Sequence, residues 1–129
     1  MRILFIAENL TYGGVAHRFI ELANAMVDRG LDTTLYVYNG NIVLQDKLNK
    51  SVKCIVEQSI GEMGNWLNRN TLYRAKCIKQ IDSFLKINKY DVIVSFNDMV
   101  NLSLMLSKNV NKSKIIISER SDPNYNKKY

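Results

Sequence analysis

Apolar and polar positions along the chain alternate between two periods, and each period predicts a different element. Residues 2–7, Arg-Ile-Leu-Phe-Ile-Ala, form a short, nearly continuous apolar run that suits a buried strand. From residue 14 to 28 the pattern changes: Val15, Phe19, Leu22, Ala23 and Met26 recur at three- and four-residue steps, with Arg18, Glu21 and Asp28 on other faces, which predicts a helix. Gly30 then supplies a left-handed cap. Residues 32–38 are rich in Thr, Leu, Tyr and Val, which favour a pleated, buried surface, and Asn39, Gly40 and Asn41 end this second strand.

Residues 43–49 suit a short helix, and 52–57, with Cys54, Ile55 and Val56, a third strand. Gly61, Gly64 and several Asn break the stretch 58–70, where Trp66 and Leu67 are isolated apolar residues, so a loop is expected. Thr71 is a good N-cap for a helix reaching about residue 87. Its apolar face is read as Ala75, Ile78, Ile81, Phe84 and Leu85, opposite Lys76, Lys79, Ser83 and Lys86. Residues 91–96 and 114–118 are apolar runs expected as strands buried on two faces, with a short helix over 99–106 between them. Strand and helix alternate throughout, which predicts an α/β fold: a Rossmann-like, doubly wound parallel sheet of about five strands.

A length of 129 residues fits one domain, 1–129, and the chain stops soon after a strand without the helix expected next, as a truncated domain would. With 47% hydrophobic and 23% charged residues the composition is that of a packed globular chain and excludes a wholly disordered polymer. No apolar run approaches the ~20 residues of a membrane span. Glu8 and Asn9 cut the first run short before a signal-peptide core forms, so a cytoplasmic location is expected. Cys54 and Cys77 have no CxxC spacing and no nearby His pair, so two buried free thiols are expected and no metal site. Eighteen Lys and Arg against twelve Asp and Glu give a net charge of +6, which favours anionic partners without choosing among them.

In an open parallel sheet the ligand crevice lies beyond the carboxyl ends of the strands, so residues 8–14, 39–41, 97–98 and 119–123 are the candidates. Gly13 and Gly14 bring adjacent glycines to a helix start, where unpaired amides and the helix dipole attract a phosphate; a tight strand-to-helix turn accounts for them equally well. They do not form GxGxxG, the second strand ends in Tyr-Val-Tyr-Asn rather than an acidic residue, and no GxxxxGK[ST] occurs. An NAD-dependent dehydrogenase and a P-loop hydrolase are thereby disfavoured. His17, the sole histidine, stands in the first turn of that helix, either reaching the crevice or simply solvated. One histidine and no GxSxG setting argue against a Ser-His-Asp triad. Glu119 and Arg120, in Glu-Arg-Ser-Asp-Pro, follow the last strand and either contact a ligand or form a local salt bridge; Asn97 and Asp98, after the preceding strand, share that ambiguity. Lys76, Lys79 and Lys86, with Arg69, Arg74 and Trp66 nearby, make a basic and aromatic surface suited to an anionic membrane or simply to water. No recognition motif or stacking series accompanies the charge, so nucleic acid is not expected as a partner.

Three segments together resemble the amino-terminal half of family 4 glycosyltransferases: Met-Arg-Ile-Leu-Phe-Ile at the start; Thr-Tyr-Gly-Gly-Val-Ala-His-Arg-Phe-Ile-Glu-Leu-Ala-Asn-Ala-Met over 11–26, with Arg29-Gly30; and Tyr-Asp-Val-Ile-Val-Ser-Phe over 90–96. Residues 116–123, Ile-Ile-Ser-Glu-Arg-Ser-Asp-Pro, are similar to the Ser-Glu-Arg-x-Asp-Pro segment of polysaccharide-building members. The resemblance implies the amino-terminal, acceptor-side half of a GT-B fold. Such enzymes close two Rossmann-like domains over a cleft and transfer a sugar from a nucleotide sugar to an acceptor with retention at the anomeric carbon. It further implies that Gly13 and Gly14 approach the donor's diphosphate, that Glu119 and Arg120 line the opposing floor, and that Glu119 has a polar or catalytic role. His17, Asn97 and Asp98 are the other substrate-binding candidates. Many members carry a histidine near the end of the late strand, where Glu119 and Arg120 stand here; His17 does not fill that place.

The family's carboxyl-terminal nucleotide-sugar domain, with its paired glutamates, is not among these residues, so the chain alone is expected to be inactive. The nucleotide sugar is a substrate and no cofactor is expected. The partners expected are a glycan or lipid-linked acceptor of surface polysaccharide assembly and the inner membrane face, docked through Trp66, Arg69, Lys76, Lys79 and Lys86. The rival expectation is a non-enzymatic α/β module that binds a phosphorylated ligand or an anionic membrane.

Overall fold

The computed structural model describes residues 1–11, 14–38, 40, 42–57, 72–96, 98–110 and 113–118. Strand β1 (Arg2–Ala7) leads to helix α1 (Gly14–Asp28) and strand β2 (Asp32–Val37). A 3-10 turn (Gln45–Lys47) precedes β3 (Lys53–Val56); then come α2 (Leu72–Ile87), β4 (Val92–Ser95), α3 (Asp98–Leu106) and β5 (Lys114–Ile117). The five strands form one all-parallel sheet in the order β3-β2-β1-β4-β5, a Rossmann-like arrangement.

A parallel strand covered on both sides is apolar at nearly every position, and β1 is so from Ile3 to Ala7. Ile3, Phe5 and Ala7 enter one core with Ala16, Phe19, Ile20 and Ala23 of α1. Leu4 and Ile6 enter the other with Cys77, Ile81, Phe84 and Leu85 of α2 and Val100 and Leu104 of α3. In the first core the Phe19 ring meets Phe5 and Phe96 edge to face, at 5.8 and 4.7 Å between centroids. In the second, Tyr36 and Phe84 stack 3.8 Å apart.

The end of α1 is a Schellman cap: Gly30, at φ +80°, donates its amide to the Val27 carbonyl at 2.8 Å, and Leu31 donates to Met26 at 3.1 Å. The expected helix over 43–49 is only the 3-10 turn, held by Asn24. Its amide donates to the Lys47 carbonyl at 2.9 Å, and its side-chain oxygen accepts from the Asn49 amide at 2.7 Å. Side-chain bonds of this kind compete with helical ones and favour turns.

Both helix faces are rotated from the sequence reading. Val15 is exposed, and Ala16 and Ile20 take its place in the core. On α2 Ala75 is exposed, and the buried stripe runs through Cys77, Ile81, Phe84 and Leu85. Ala16 and Cys77, which the sequence reading left out of the apolar faces, are small enough for close helix-to-sheet contact. Strand β5 also differs: expected buried on two faces, it leaves Ile116 52% and Ile117 44% exposed, because among the described strands it lies at the edge with one neighbour. The same edge effect on β3 leaves Cys54 half-buried, while Cys77 is fully buried; both thiols are free.

Asp82 of α2 ties the end of α3 to the rest. It accepts from the Ser107 hydroxyl at 2.6 Å and the Lys108 amide at 3.1 Å. The Ser107 bond foremost, helped by Asn109 and the Lys108 amide against a smaller cost of desolvation, holds the Asp82 carboxyl below the ordinary carboxylate range. A lowered folded value stabilises above the unfolded value and loses that contribution as pH falls through the folded one. The melting-temperature gap between the wild type and Asp82→Asn should therefore be widest at neutral pH and close below about pH 4. A gap independent of pH in thermal melts from pH 7 to 3 would contradict the assignment.

Candidate functional site at the carboxyl ends of β1 and β4

Strand order reverses between β1 and β4: the chain leaves β1 toward β2 and β3, then returns through α2 to β4 on the other side. Connections that depart in opposite directions leave a crevice at their carboxyl ends. Three chain segments bound it. One follows β1, where buried Leu10 bridges Ile42 and accepts from the Val43 amide at 2.9 Å, fixing the exit path. The second is the start of α1 and the third the start of α3.

Gly14 is the first residue of α1 and is exposed. Its φ is outside the left-handed region, and a Cβ built on it meets no atom within 4 Å. The described fold therefore does not require glycine here, which weakens the tight-turn explanation at this position. No acidic side chain occupies the first turn of α1, so its amides keep their attraction for an anion. His17 is exposed in the following residues, and Arg18 is engaged with Glu21 at 3.1 Å.

Asp98 heads α3, at the carboxyl end of β4 and so at the same sheet edge as Gly14. Behind it, Ser95 and Asn101 are buried polar residues on β4 and α3. Gly13, Asn97, Glu119, Arg120, Trp66 and Arg69 lie outside the described residues. Lys76, Lys79 and Lys86 are exposed along one stripe of α2 that faces away from the sheet.

The sequence reading missed a polar cluster on the α2 side of this edge. Glu8, the first residue after β1, is half-buried and accepts a hydrogen bond from the Tyr73 hydroxyl in the first turn of α2. The Cys77 thiol, one turn further along, lies against both Tyr73 and Tyr38. Burial foremost, and then the bond to Glu8, pushes the Tyr73 hydroxyl far above its ordinary range. Burial does the same to Tyr38, with Cys77 and Glu8 adding to it, and pushes the Cys77 thiol up. These groups therefore stay protonated, and Tyr73 is a standing donor to Glu8. The available signal was the spacing of Tyr73, Cys77, Ile81, Phe84 and Leu85, which puts Tyr73 on the buried face of α2.

Among the described residues, no three His, Cys, Asp or Glu side chains converge as a metal site. None of the described helices is long and apolar enough to cross a membrane. Comparison with protein-family models and with curated proteins found no match.

Because the space over Gly14 is open, Gly14→Ala should leave the unfolding free energy unchanged or raise it by up to about 1 kcal/mol. Urea denaturation measures this, and a loss of more than about 1 kcal/mol would show that the fold itself needs glycine there.

Proposed function

We propose that this chain is the acceptor-side, amino-terminal domain of a retaining glycosyltransferase. It would transfer a sugar from a nucleotide sugar to a glycan or lipid-linked acceptor in surface polysaccharide assembly. The observation that carries the reading is the glycine-headed start of α1 at the crevice beside β1, open above Gly14 and free of acidic residues in its first turn. This arrangement suits a diphosphate, whose oxygens accept from backbone amides and gain from the helix dipole. The resemblance of residues 11–30, 90–96 and 116–123 to family 4 enzymes supplies the reaction class.

In this reading the domain's own residues bind and orient. The α1 amides draw the diphosphate to one side of the cleft, and the ends of β1 and β4 hold the acceptor. Glu119 and Arg120 remain the proposed floor of the cleft. The nucleotide and the donor sugar belong to a second domain facing this one. The exposed stripe of Lys76, Lys79 and Lys86 supports peripheral docking on anionic lipid, which would present a lipid-linked acceptor to the cleft.

Sugar transfer by the full-length protein, across a panel of nucleotide sugars with a lipid-linked acceptor, tests the reaction class. Transfer should be found with one donor and should fall by at least about tenfold in Gly14→Val, whose branched side chain blocks backbone approach. A folded protein inert toward every donor would leave the non-enzymatic binding module as the better reading. Membrane docking is tested separately by liposome sedimentation. Replacing Lys76, Lys79 and Lys86 together with Gln should weaken binding to vesicles rich in phosphatidylglycerol by about a hundredfold, at about 1 kcal/mol per basic residue. Unchanged sedimentation would remove the docking surface.

A further inference from the structure

The Glu8–Tyr73 pair has a chemistry that the phosphate site does not account for. Glu8 stands at the tip of the central strand, beside the point where strand order reverses. One carboxylate oxygen accepts from Tyr73, and no described residue donates to the other. A carboxylate in this setting repels phosphate and recruits a donor. The crevice is thus divided, with the α1 amides offering donors to an anion and Glu8 offering an acceptor to a neutral hydroxyl.

We infer that Glu8 binds a hydroxyl of the acceptor's sugar ring through its second oxygen, and that Tyr73 is the positioning residue that orients the carboxylate. The inference rests on the glycosyltransferase reading and names the side chain that would select the acceptor within it. Tyr73 is suited to the task because it is fixed twice. It lies on the helix face carrying Cys77 and Ile81, which are buried against the sheet, and its hydroxyl is directed at Glu8 from 65 residues away in sequence. A purely structural tether between β1 and α2 would also use this bond but would not care about the charge on Glu8. Glu8→Gln separates the two roles, since it keeps an oxygen for Tyr73 and removes the charge.

The test is steady-state transfer by the full-length protein to a polyprenyl-diphosphate-linked monosaccharide and to its monodeoxy analogues. Glu8→Gln should raise the acceptor KM about tenfold, the usual loss when a hydrogen bond to a charged group is weakened, with donor KM and melting temperature unchanged. Tyr73→Phe should raise the acceptor KM several-fold, less than Glu8→Gln does. In the wild type one monodeoxy analogue should lose about tenfold in kcat/KM, and Glu8→Gln should be indifferent to the same deletion. An acceptor KM unmoved in Glu8→Gln, or a wild type indifferent to every deoxy position, would overturn the inference while leaving the enzyme intact. Where a variant fails to fold, a wild type indifferent to every deoxy position would still overturn the inference. Absence of transfer by the wild type is a different result and would overturn the glycosyltransferase reading itself.

Discussion

The whole arrangement depends on β1 being buried on both faces while pairing with a parallel neighbour on each side. A parallel pair needs a crossover, and a strand with neighbours on two sides needs crossovers that depart in opposite directions. That requirement places α1 over one face of the sheet and α2 and α3 over the other. The crevice beyond β1 is therefore a consequence of topology, whatever residues occupy it. Leu4 and Ile6 pack one way, Ile3 and Phe5 the other, and neither layer can be lost without uncovering the strand that bears Glu8 at its tip.

The two ends of the sheet are treated differently by charge. At the amino-terminal end Arg2 closes a self-contained cluster. Its backbone amide donates to Asp91 at 2.7 Å, its guanidinium donates to the Lys89 carbonyl at 2.6 Å and pairs with Asp32 at 3.5 Å, and it lies over the Tyr90 ring at 4.8 Å. Arg2 and its carboxylate and carbonyl partners are engaged with one another, while the buried Tyr90 hydroxyl has no partner among the described residues. At the carboxyl-terminal end the polar groups are only partly used among the described residues: one Glu8 oxygen accepts from Tyr73, and the first turn of α1 contains no acidic residue. A surface that has already satisfied its polar groups has little to offer a ligand, whereas one that has not retains binding capacity.

Much of this was legible in the sequence, for identifiable reasons. The apolar run over 2–7 and the three-and-four spacing through Phe19 and Ala23 are strong local signals, and the observed β1 and α1 coincide with them. Gly30 as a cap was equally readable, because the left-handed conformation selects glycine. The exposure of Ile116 and Ile117 was not readable. Whether an apolar strand lies inside a sheet or at its edge depends on its neighbours, which composition does not encode. The Glu8–Tyr73 bond escaped for the same reason: 65 residues separate its partners, and only the crossover brings the first turn of α2 over the end of β1. Gly14 was readable as a candidate, but the open space above it is a three-dimensional property.

The central claim is that ligands enter at the carboxyl ends of β1 and β4, and mapping backbone amide shifts of the isotope-labelled protein on addition of a nucleotide sugar and a lipid-linked acceptor tests it most directly. The account predicts that the largest changes fall on Glu8 to Thr11, Gly14, Val15 and the first turn of α3, with the Arg2 cluster unmoved. Changes centred on Arg2, Lys89 and Asp91, at the opposite end of the sheet, would contradict it.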